Sequence, residues 1–100
     1  MSKVKSEHID WSKYTSFQQK VYRCIMKIKP GQVLTYAQVA RLIGNPKSAR
    51  AVGNALATNQ DAPIIPCHRV IKTDGGLGGY SGRGGVKGKI KLLRAEGYQV

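Results

Sequence analysis

The sequence predicts one mostly α-helical domain with a short β element, arranged as a winged-helix-like helix-turn-helix domain. Apolar residues recur at helical spacing in four separate stretches, which is the main evidence for helices. Two of these stretches are short and flank a turn that contains Gly44, as in a helix-turn-helix. The extended pair Val70-Ile71, followed by a turn signal at Asp74-Gly75, supplies the β element. A chain of 100 residues has room for one such domain.

The N-terminal residues differ in composition from the rest of the chain. Residues 1–14 are polar and of mixed charge, and they predict a flexible arm in front of a folded domain that spans residues 15–100. The polar N-terminus does not resemble a signal peptide, and the chain has no apolar run long enough to cross a bilayer. We therefore expect no membrane association.

The first predicted helix begins at a cap formed by Thr15 or Ser16, because a hydroxyl at that position accepts an N–H bond from the first helical turn. Pro30-Gly31 stops the helix, since proline lacks the N–H donor that a helix interior needs. Apolar residues at spacings of four, four and three form its inner face: Phe17, Val21, Ile25 and Ile28.

The next two helices form the predicted helix-turn-helix. Thr35 and Gln38 fit a capping box at the start of a helix over 36–43, and Gly44 fits a left-handed C-cap. Asn45-Pro46 is predicted to begin the third helix, with Asn as the N-cap and Pro at the first helical position. The third helix carries basic residues, which is typical of a DNA-reading helix, although a plain helical hairpin shows the same pattern.

The last helix is predicted over 86–96, with Val86, Ile90 and Leu93 inward and Gly97 at its end. The loop before it is rich in glycine, with eight glycines among residues 75–88. Because this loop has neither the dinucleotide-binding nor the P-loop spacing, a nucleotide-binding site is rejected.

Composition favours an anionic partner. Lys and Arg number 17 against five Asp and Glu, a formal net charge of +12. Such an excess indicates nucleic acid first and an anionic membrane surface second, while a merely solubilising basic surface is the simpler alternative. Cys24 and Cys67 fit no disulfide framework, and together with the two histidines they show no metal-ligand spacing. Reduced thiols favour the cytoplasm, or a nucleoid-associated or nuclear location.

The most informative stretch runs from Pro63 to Val70. Here Cys67 follows a proline and stands beside His68 and Arg69. Neighbouring cationic groups favour thiolate over thiol, and the thiolate is the nucleophile. Judged from these residues alone, a buried cysteine in a short β segment is an equally good interpretation.

The motif Pro66-Cys67-His68-Arg69-Val70 resembles the acceptor-cysteine motif of the O6-alkylguanine-DNA alkyltransferases, and the resemblance extends in register from about Phe17 to Gly97. It implies irreversible transfer of an alkyl group from O6-alkylguanine, with O4-alkylthymine as a further substrate, in a flipped-out base of double-stranded DNA. It also implies a monomer that approaches the minor groove and uses no cofactor and no metal. The acceptor would be Cys67, alkylated once per protein.

The resemblance also assigns roles to the residues around the cysteine. His68 would be the base, acting through a water, and Glu96 would hold its imidazole ring. Asn59 would brace the turn that precedes the active site. Arg69 would hold backbone or Glu96. The charge of Glu96 at a helix C-terminus is otherwise disfavoured, which supports a buried partner for it.

The implied DNA-binding residues surround the third helix and the glycine-rich loop. Arg50 would enter the duplex in place of the flipped nucleotide, and Tyr36 would hydrogen-bond the flipped base. The remaining implied contacts come from small residues that let the helix approach, from the pocket wall and from positions near the leaving oxygen: Ala49, Ala51, Tyr80, Ser81 and Lys87.

Two alternative functions remain open at this point. One is a lesion-sensing DNA-binding protein like the alkyltransferase-like proteins, which share the scaffold but replace the cysteine. The other is a basic helix-turn-helix regulator. Most members of the resembled family carry an additional N-terminal domain, where this chain has only the predicted arm.

Overall fold

The computed structural model describes residues 9–80, 82 and 84–99. Within these residues it is mostly helical with one short parallel sheet, as the sequence predicts. In that sheet Leu34 pairs with Val70 and Thr35 pairs with Ile71. The elements are α1 (Ser16–Ile25), β1 (Leu34–Thr35), α2 (Tyr36–Leu42), α3 (Ala49–Ala57), β2 (Val70–Ile71) and α4 (Gly85–Ala95), with 3-10 turns at Trp11–Lys13 and Cys67–Arg69.

Two capping boxes fix where α1 and α2 begin. The Thr15 hydroxyl accepts from the Gln18 N–H at 3.1 Å, and the Gln18 side chain accepts from the Thr15 N–H at 2.9 Å. Thr35 and Gln38 repeat this pair of bonds at 3.1 and 2.8 Å. Both predicted caps are confirmed, because each depends only on residues three positions apart.

The third helix begins later than predicted. Its N-cap is Ser48, not Asn45. The Asn45 N–H donates to the Ala40 carbonyl at 2.9 Å and the N–H of Gly44 donates to Arg41 at 3.0 Å, so Asn45 still belongs to the end of α2. Gly44 has φ +84°, the left-handed conformation that closes a Schellman motif. The assignment of Asn45-Pro46 as a helix start was therefore wrong.

The core lies where α1, α2 and α3 meet the short sheet. Tyr22 on α1 is fully buried, and its hydroxyl donates to the Ala55 carbonyl of α3 at 2.5 Å. The apolar face predicted for the first helix is confirmed at Val21 and Ile25, which are fully buried. Ile28 of that face is also buried, but it lies beyond α1, which ends at Ile25 and not at Pro30 as predicted. The core also contains fully buried side chains from α2, α3 and β2: Val39, Val52 and Val70.

The predicted flexible arm is corrected for residues 9–14, which pack on the domain. Ile9 and Tyr14 are buried in the core. The Tyr14 hydroxyl donates to the Asp61 carboxylate and accepts from the Gln60 N–H, so the segment is held by hydrogen bonds as well. The apolar residues of this segment are Ile9, Trp11 and Tyr14, whose spacings of two and three follow no single helical or strand period. The sequence pattern therefore did not reveal their packing. Residues 1–8 of the predicted arm lie outside the described residues.

The inner face of α4 is also different from the prediction. Leu93 is buried as expected, but Val86 is 44% exposed and Lys89 is fully buried. Lys89 lies four residues before Leu93, so the two share one helical face.

No helix among the described residues is long and apolar enough to cross a membrane.

Candidate active site and nucleic-acid interface

Asn59 shapes the loop that delivers Cys67. Its side chain is buried, donates to the Ile65 carbonyl at 2.8 Å and accepts from the Asp61 N–H at 2.9 Å. The loop is thereby folded back on itself immediately before Pro66, which caps the 3-10 turn over Cys67–Arg69. The bracing contact implied for Asn59 is present.

Cys67 lies at the wall of a cavity of about 270 Å³. Only 4% of the Cys67 surface is exposed, yet Cys67 contributes to the cavity lining. Thus the sulfur-bearing residue is shielded from bulk solvent but borders a space of the size that a planar heterocycle needs. The other lining residues come from α2, α3 and the glycine-rich loop: Tyr36, Gly53, Leu56, Ala57, Gly79 and Tyr80.

His68 is buried next to Cys67 and contacts Glu96. Its Nε2 lies 2.9 Å from the Oε2 of Glu96. Burial lowers the pKa of His68 below its ordinary value, and the hydrogen bond to Glu96 only partly opposes this, so the neutral ring is favoured. Because a carboxylate accepts, Nε2 carries the proton of the neutral ring. Nδ1 then holds a lone pair, and it is a buried atom with no hydrogen-bond partner among the described residues.

Glu96 is clamped by Arg69. The guanidinium donates to both carboxylate oxygens, at 2.9 and 2.7 Å, and also to the Ile28 carbonyl at 2.7 Å. Burial alone would raise the pKa of Glu96, but hydrogen bonds from Arg69 and His68 outweigh it and bring the pKa to about 2. The carboxylate is therefore ionised and fixed in orientation. Both contacts that the sequence implied for Glu96 are present.

Two tyrosines, Tyr36 and Tyr80, form part of the cavity wall. Burial raises the pKa of Tyr36 and brings that of Tyr80 to about 12, so both phenols stay protonated near neutral pH. The Tyr80 ring stands edge-on to the His68 ring, with centroids 6.2 Å apart. Gly78, at φ +74°, packs so closely that a Cβ there would lie 2.6 Å from the Tyr36 hydroxyl oxygen. The loop must therefore carry glycine where it passes Tyr36.

The first turn of α3 presents the implied DNA-contacting residues. Arg50 and Ala51 are exposed and Ala49 is half-buried, so a basic side chain is flanked by small ones on an accessible helix end. Gly53 and Leu56 of the same helix line the cavity. One short helix thus joins the basic surface to the space beside Cys67.

The structure does not bring all the implied DNA-binding residues into the cavity. Lys87 is exposed and lines a neighbouring groove with Ala62, Pro63 and Tyr80. Its implied role near the leaving oxygen stays a prediction. Ser81 lies outside the described residues.

Lys89 is the functional candidate that the sequence did not reveal. Its side chain is fully buried, and its ammonium donates to the carbonyls of Val70 at 2.8 Å, Leu77 at 2.5 Å and Gly79 at 3.2 Å. A helical-spacing signal exists, because Lys89 precedes Glu96 by seven residues and so lies on the same face. A lysine on a helix is ordinarily solvated, so this spacing alone did not identify Lys89.

A larger groove of about 820 Å³ lies elsewhere on the molecule, along α1 and the end of α2. It is lined by apolar residues such as Ile28, Leu34 and Leu42 and by the cations Lys20 and Lys27. None of the implied catalytic or DNA-binding residues lines it. Size therefore does not identify the reactive site in this fold, whereas the chemistry of the lining does.

Comparison with known proteins identifies the family. The model of the 6-O-methylguanine DNA methyltransferase DNA-binding domain matches residues 16–98, so this chain belongs to that family. The resemblance predicted from the Pro66–Val70 motif is confirmed. Among described residues, no group of three or more His, Cys, Asp or Glu side chains is placed to hold a metal ion.

Curated relatives share about half of the aligned residues. The bifunctional transcriptional activator/DNA repair enzyme Ada of Escherichia coli K12 is 50% identical over 82 residues, which are 82% of this chain and 23% of that protein. A methylated-DNA–protein-cysteine methyltransferase of Kluyveromyces lactis is 49% identical over 82 residues, again 82% of this chain and 42% of that protein. This chain spans less than half the length of both relatives.

Solved structures agree in fold. The Mycobacterium tuberculosis OGT in complex with DNA has a TM-score of 0.78 and 44% identity, covering 83% of this chain and 49% of that one. The Schizosaccharomyces pombe Atl1 in complex with damaged DNA containing O6-carboxymethylguanine has a TM-score of 0.72 and 34% identity, covering 84% of this chain and 81% of that one. Both of those structures contain DNA.

Proposed function

We propose that this protein repairs DNA by moving an alkyl group from the O6 atom of guanine onto Cys67. The observation that carries the proposal is the position of Cys67 at the wall of a base-sized cavity, directly followed by a buried His68 that is hydrogen-bonded to Glu96. A nucleophile, a base and an orienting carboxylate in that order are the recurring elements of an activated thiol. The family membership is consistent with this chemistry.

The transfer step follows from these groups. Nδ1 of His68 takes the thiol proton through a water, and Glu96 stabilises the imidazolium that forms. The thiolate sulfur attacks the alkyl carbon, a C–S bond forms, and the C–O6 bond breaks with its electron pair passing to guanine. The Tyr36 hydroxyl donates a hydrogen bond to the departing base. The proton held by the His68 imidazolium then passes through water to the guanine anion, so that guanine leaves neutral and His68 returns to its neutral form. The products are a thioether at Cys67 and repaired DNA, one alkyl group for each protein molecule.

Access to the damaged base requires its removal from the duplex. Flipping a nucleotide costs a few kcal/mol, because stacking and pairing are lost. We propose that Arg50 enters the gap and offsets part of that cost, while Ala49 and Ala51 let α3 approach the minor groove closely. Tyr80, Ser81 and Lys87 are assigned to the base and its leaving oxygen. A net charge of +12 supplies attraction to the phosphates.

We further propose that one copy acts alone on each lesion and that no cofactor takes part. All groups used in the step come from a single chain: Cys67, His68, Glu96 and Arg69 with the bracing Asn59. O4-alkylthymine is a second candidate substrate, since its alkyl group also hangs on an exocyclic oxygen beside a ring nitrogen.

Lesion sensing without transfer is the second candidate function. The specific observation in its favour is the likeness to Atl1, of which this chain covers 81%. A sensor would bind the alkylated duplex tightly and leave the chain chemically unchanged. The thiol at position 67 favours transfer, because a sensor has no need of a nucleophile beside a buried base.

Intact-protein mass spectrometry separates the two functions. The protein is incubated with a duplex containing one O6-methylguanine, and we expect the mass to rise by one methyl group. Cys67→Ala should abolish the gain, whereas Cys24→Ala, which removes the other thiol, should keep it. A gain that persists in Cys67→Ala, or no gain in the unaltered chain, would contradict alkyl transfer to Cys67. Tight lesion binding with unchanged mass would instead establish the sensor.

A further inference from the structure

Lys89 is a buried cation held by backbone carbonyls. Its side chain is fully buried, and its three acceptors are the carbonyls of Val70, Leu77 and Gly79. An ammonium group has three N–H donors, so these three bonds account for all of them. A buried charge with every donor used is an expensive arrangement that a leucine at the same inward position would avoid.

The three carbonyls belong to two different parts of the active site. Val70 begins β2 and directly follows the turn that carries Cys67. Leu77 and Gly79 lie in the glycine-rich loop, and Gly79 itself lines the cavity. The ammonium therefore ties the segment that carries the nucleophile to the wall on which the base would rest. A loop so rich in glycine has little stiffness of its own, because glycine restricts the backbone least.

We propose that Lys89 is a positioning residue for alkyl transfer: it fixes the glycine-rich wall of the base pocket relative to Cys67. This inference rests on the proposed function, since the separation of wall and sulfur matters for transfer only if a base enters between them. Displacement of a reacting group by about 1 Å can slow a reaction roughly 100-fold. In this positioning role Lys89 acts through the three carbonyls to which it donates.

The charge of Lys89 contributes to the same site. Burial lowers the pKa of Lys89 to about 8, and the negative charge of a Cys67 thiolate works against that shift. A protonated Lys89 and a negatively charged Cys67 sulfur therefore attract one another. Further titratable groups around this centre are His68 and the protonated phenols of Tyr36 and Tyr80. Arg69 and Glu96 also lie here and neutralise one another. Lys89 is thus a positive charge that Glu96 does not offset by direct contact.

The test compares Lys89→Met with Lys91→Met in the full chain. Both changes replace a lysine of α4 with an apolar side chain of similar length, but Lys91 is exposed. Single-turnover transfer from an O6-methylguanine duplex should slow by about 100-fold in Lys89→Met and by less than about twofold in Lys91→Met. Lys89→Met should lower the rate constant measured at saturating protein concentration. It should leave the affinity for the lesion unchanged, because α3 and Arg50 are not altered.

A second readout isolates the charge. Iodoacetamide reacts with the Cys67 thiolate without needing a base pocket, and Cys24→Ala removes the competing thiol. We expect Lys89→Met to slow this reaction several-fold and Lys89→Arg, which keeps the charge, to restore it. Lys89→Arg should nevertheless transfer slowly, since a planar guanidinium cannot place three donors as the ammonium does. A role in stability alone would leave the iodoacetamide rate of folded Lys89→Met unchanged.

The outcomes are distinguishable. If the unaltered chain gains a methyl group and folded Lys89→Met transfers at the same rate, the positioning role is overturned while the proposed function stands. If the unaltered chain gains no methyl group, the proposed function fails and this inference fails with it. If Lys89→Met does not fold, by circular dichroism, the decision passes to Lys89→Arg, where slow transfer with a restored iodoacetamide rate supports the role and wild-type transfer overturns it.

Discussion

The Nε2 atom of His68 lies 2.9 Å from Oε2 of Glu96, a residue 28 positions later at the end of α4. This contact joins the turn that carries Cys67 to the last helix. Arg69 donates to both oxygens of the same carboxylate, so neither the imidazole nor its partner is free to rotate. The imidazole that we propose as the base is therefore oriented before any substrate arrives, which is the condition for efficient general-base catalysis.

The first prediction concerns the pH dependence of transfer. In the proposed step His68 can accept a proton only when its ring is neutral, and burial lowers its pKa below the ordinary 6.5. We therefore expect the single-turnover rate constant to hold down to about pH 6.5 and to fall only in more acidic solution. Rapid-quench measurements between about pH 5 and pH 8, at constant ionic strength, would show this fall in the rate constant. An acid limb centred above 6.5 would contradict a buried, neutral imidazole as the base.

The second prediction concerns stability and Glu96. Its pKa is about 2 in the folded chain against an ordinary 4.5, so folding favours the ionised form. The resulting stabilisation is present above about pH 4.5 and is lost as the pH falls towards 2. We expect Glu96→Gln to lower the free energy of unfolding by roughly 2–3 kcal/mol at neutral pH, because charge-assisted bonds are lost.

Urea unfolding at several pH values measures this difference. Asp74→Asn is the matched control, since Asp74 is exposed and only 3.8 Å from Lys72 in a surface pair. That control should change stability by less than about 1 kcal/mol, as surface pairs do. A Glu96→Gln deficit that stayed constant between pH 7 and about pH 3 would show that the carboxylate charge is not its source.

How much of this molecule follows from sequence depends on the range of each interaction. The capping box of Thr35 and Gln38 was predicted correctly because the two residues are three positions apart. The cap of α1 was predicted at Thr15 or Ser16, and the structure places it at Thr15, with Gln18 completing a box that was not predicted. The contact between His68 and Glu96 was found only through family resemblance. Nothing local to either residue identifies the other, so spacing alone could not pair them.

The wrong helix start and the overlooked buried lysine also have physical causes. Asn45-Pro46 has the composition of a helix start, but the chain uses Asn45 to close α2 instead, and only the three-dimensional turn decides between them. Lys89 was overlooked because a lysine on a helix is ordinarily solvated. Its burial depends on three carbonyls from β2 and the loop, all of which lie at least ten residues away.

The third prediction tests Arg50. It is exposed at the start of α3, so Arg50→Ala should leave the fold intact. If the side chain fills the gap left by the flipped nucleotide, transfer from duplex DNA should slow by about 10- to 100-fold, in line with a flipping cost of a few kcal/mol. Transfer from the free alkylated base, which needs no flipping, should be unchanged. The exposed Arg41 on α2 provides a control cation. If Arg41→Ala and Arg50→Ala slowed transfer from duplex DNA equally, the effect would come from net charge and not from insertion of Arg50.

The fourth prediction tests the wall of the base pocket through Gly78. A Cβ at this position would lie 2.6 Å from the Tyr36 hydroxyl oxygen, and φ is +74°. Gly75 has a similar φ of +92° but has nothing within 4 Å of an added Cβ. Gly78→Ala and Gly75→Ala should therefore suffer similar backbone strain, about 1–3 kcal/mol each. Only Gly78→Ala should displace Tyr36 and slow transfer, by about 10- to 100-fold. Melting curves and single-turnover assays on both variants separate strain from displacement, and equal transfer rates would show that the hydroxyl of Tyr36 does not need its present position.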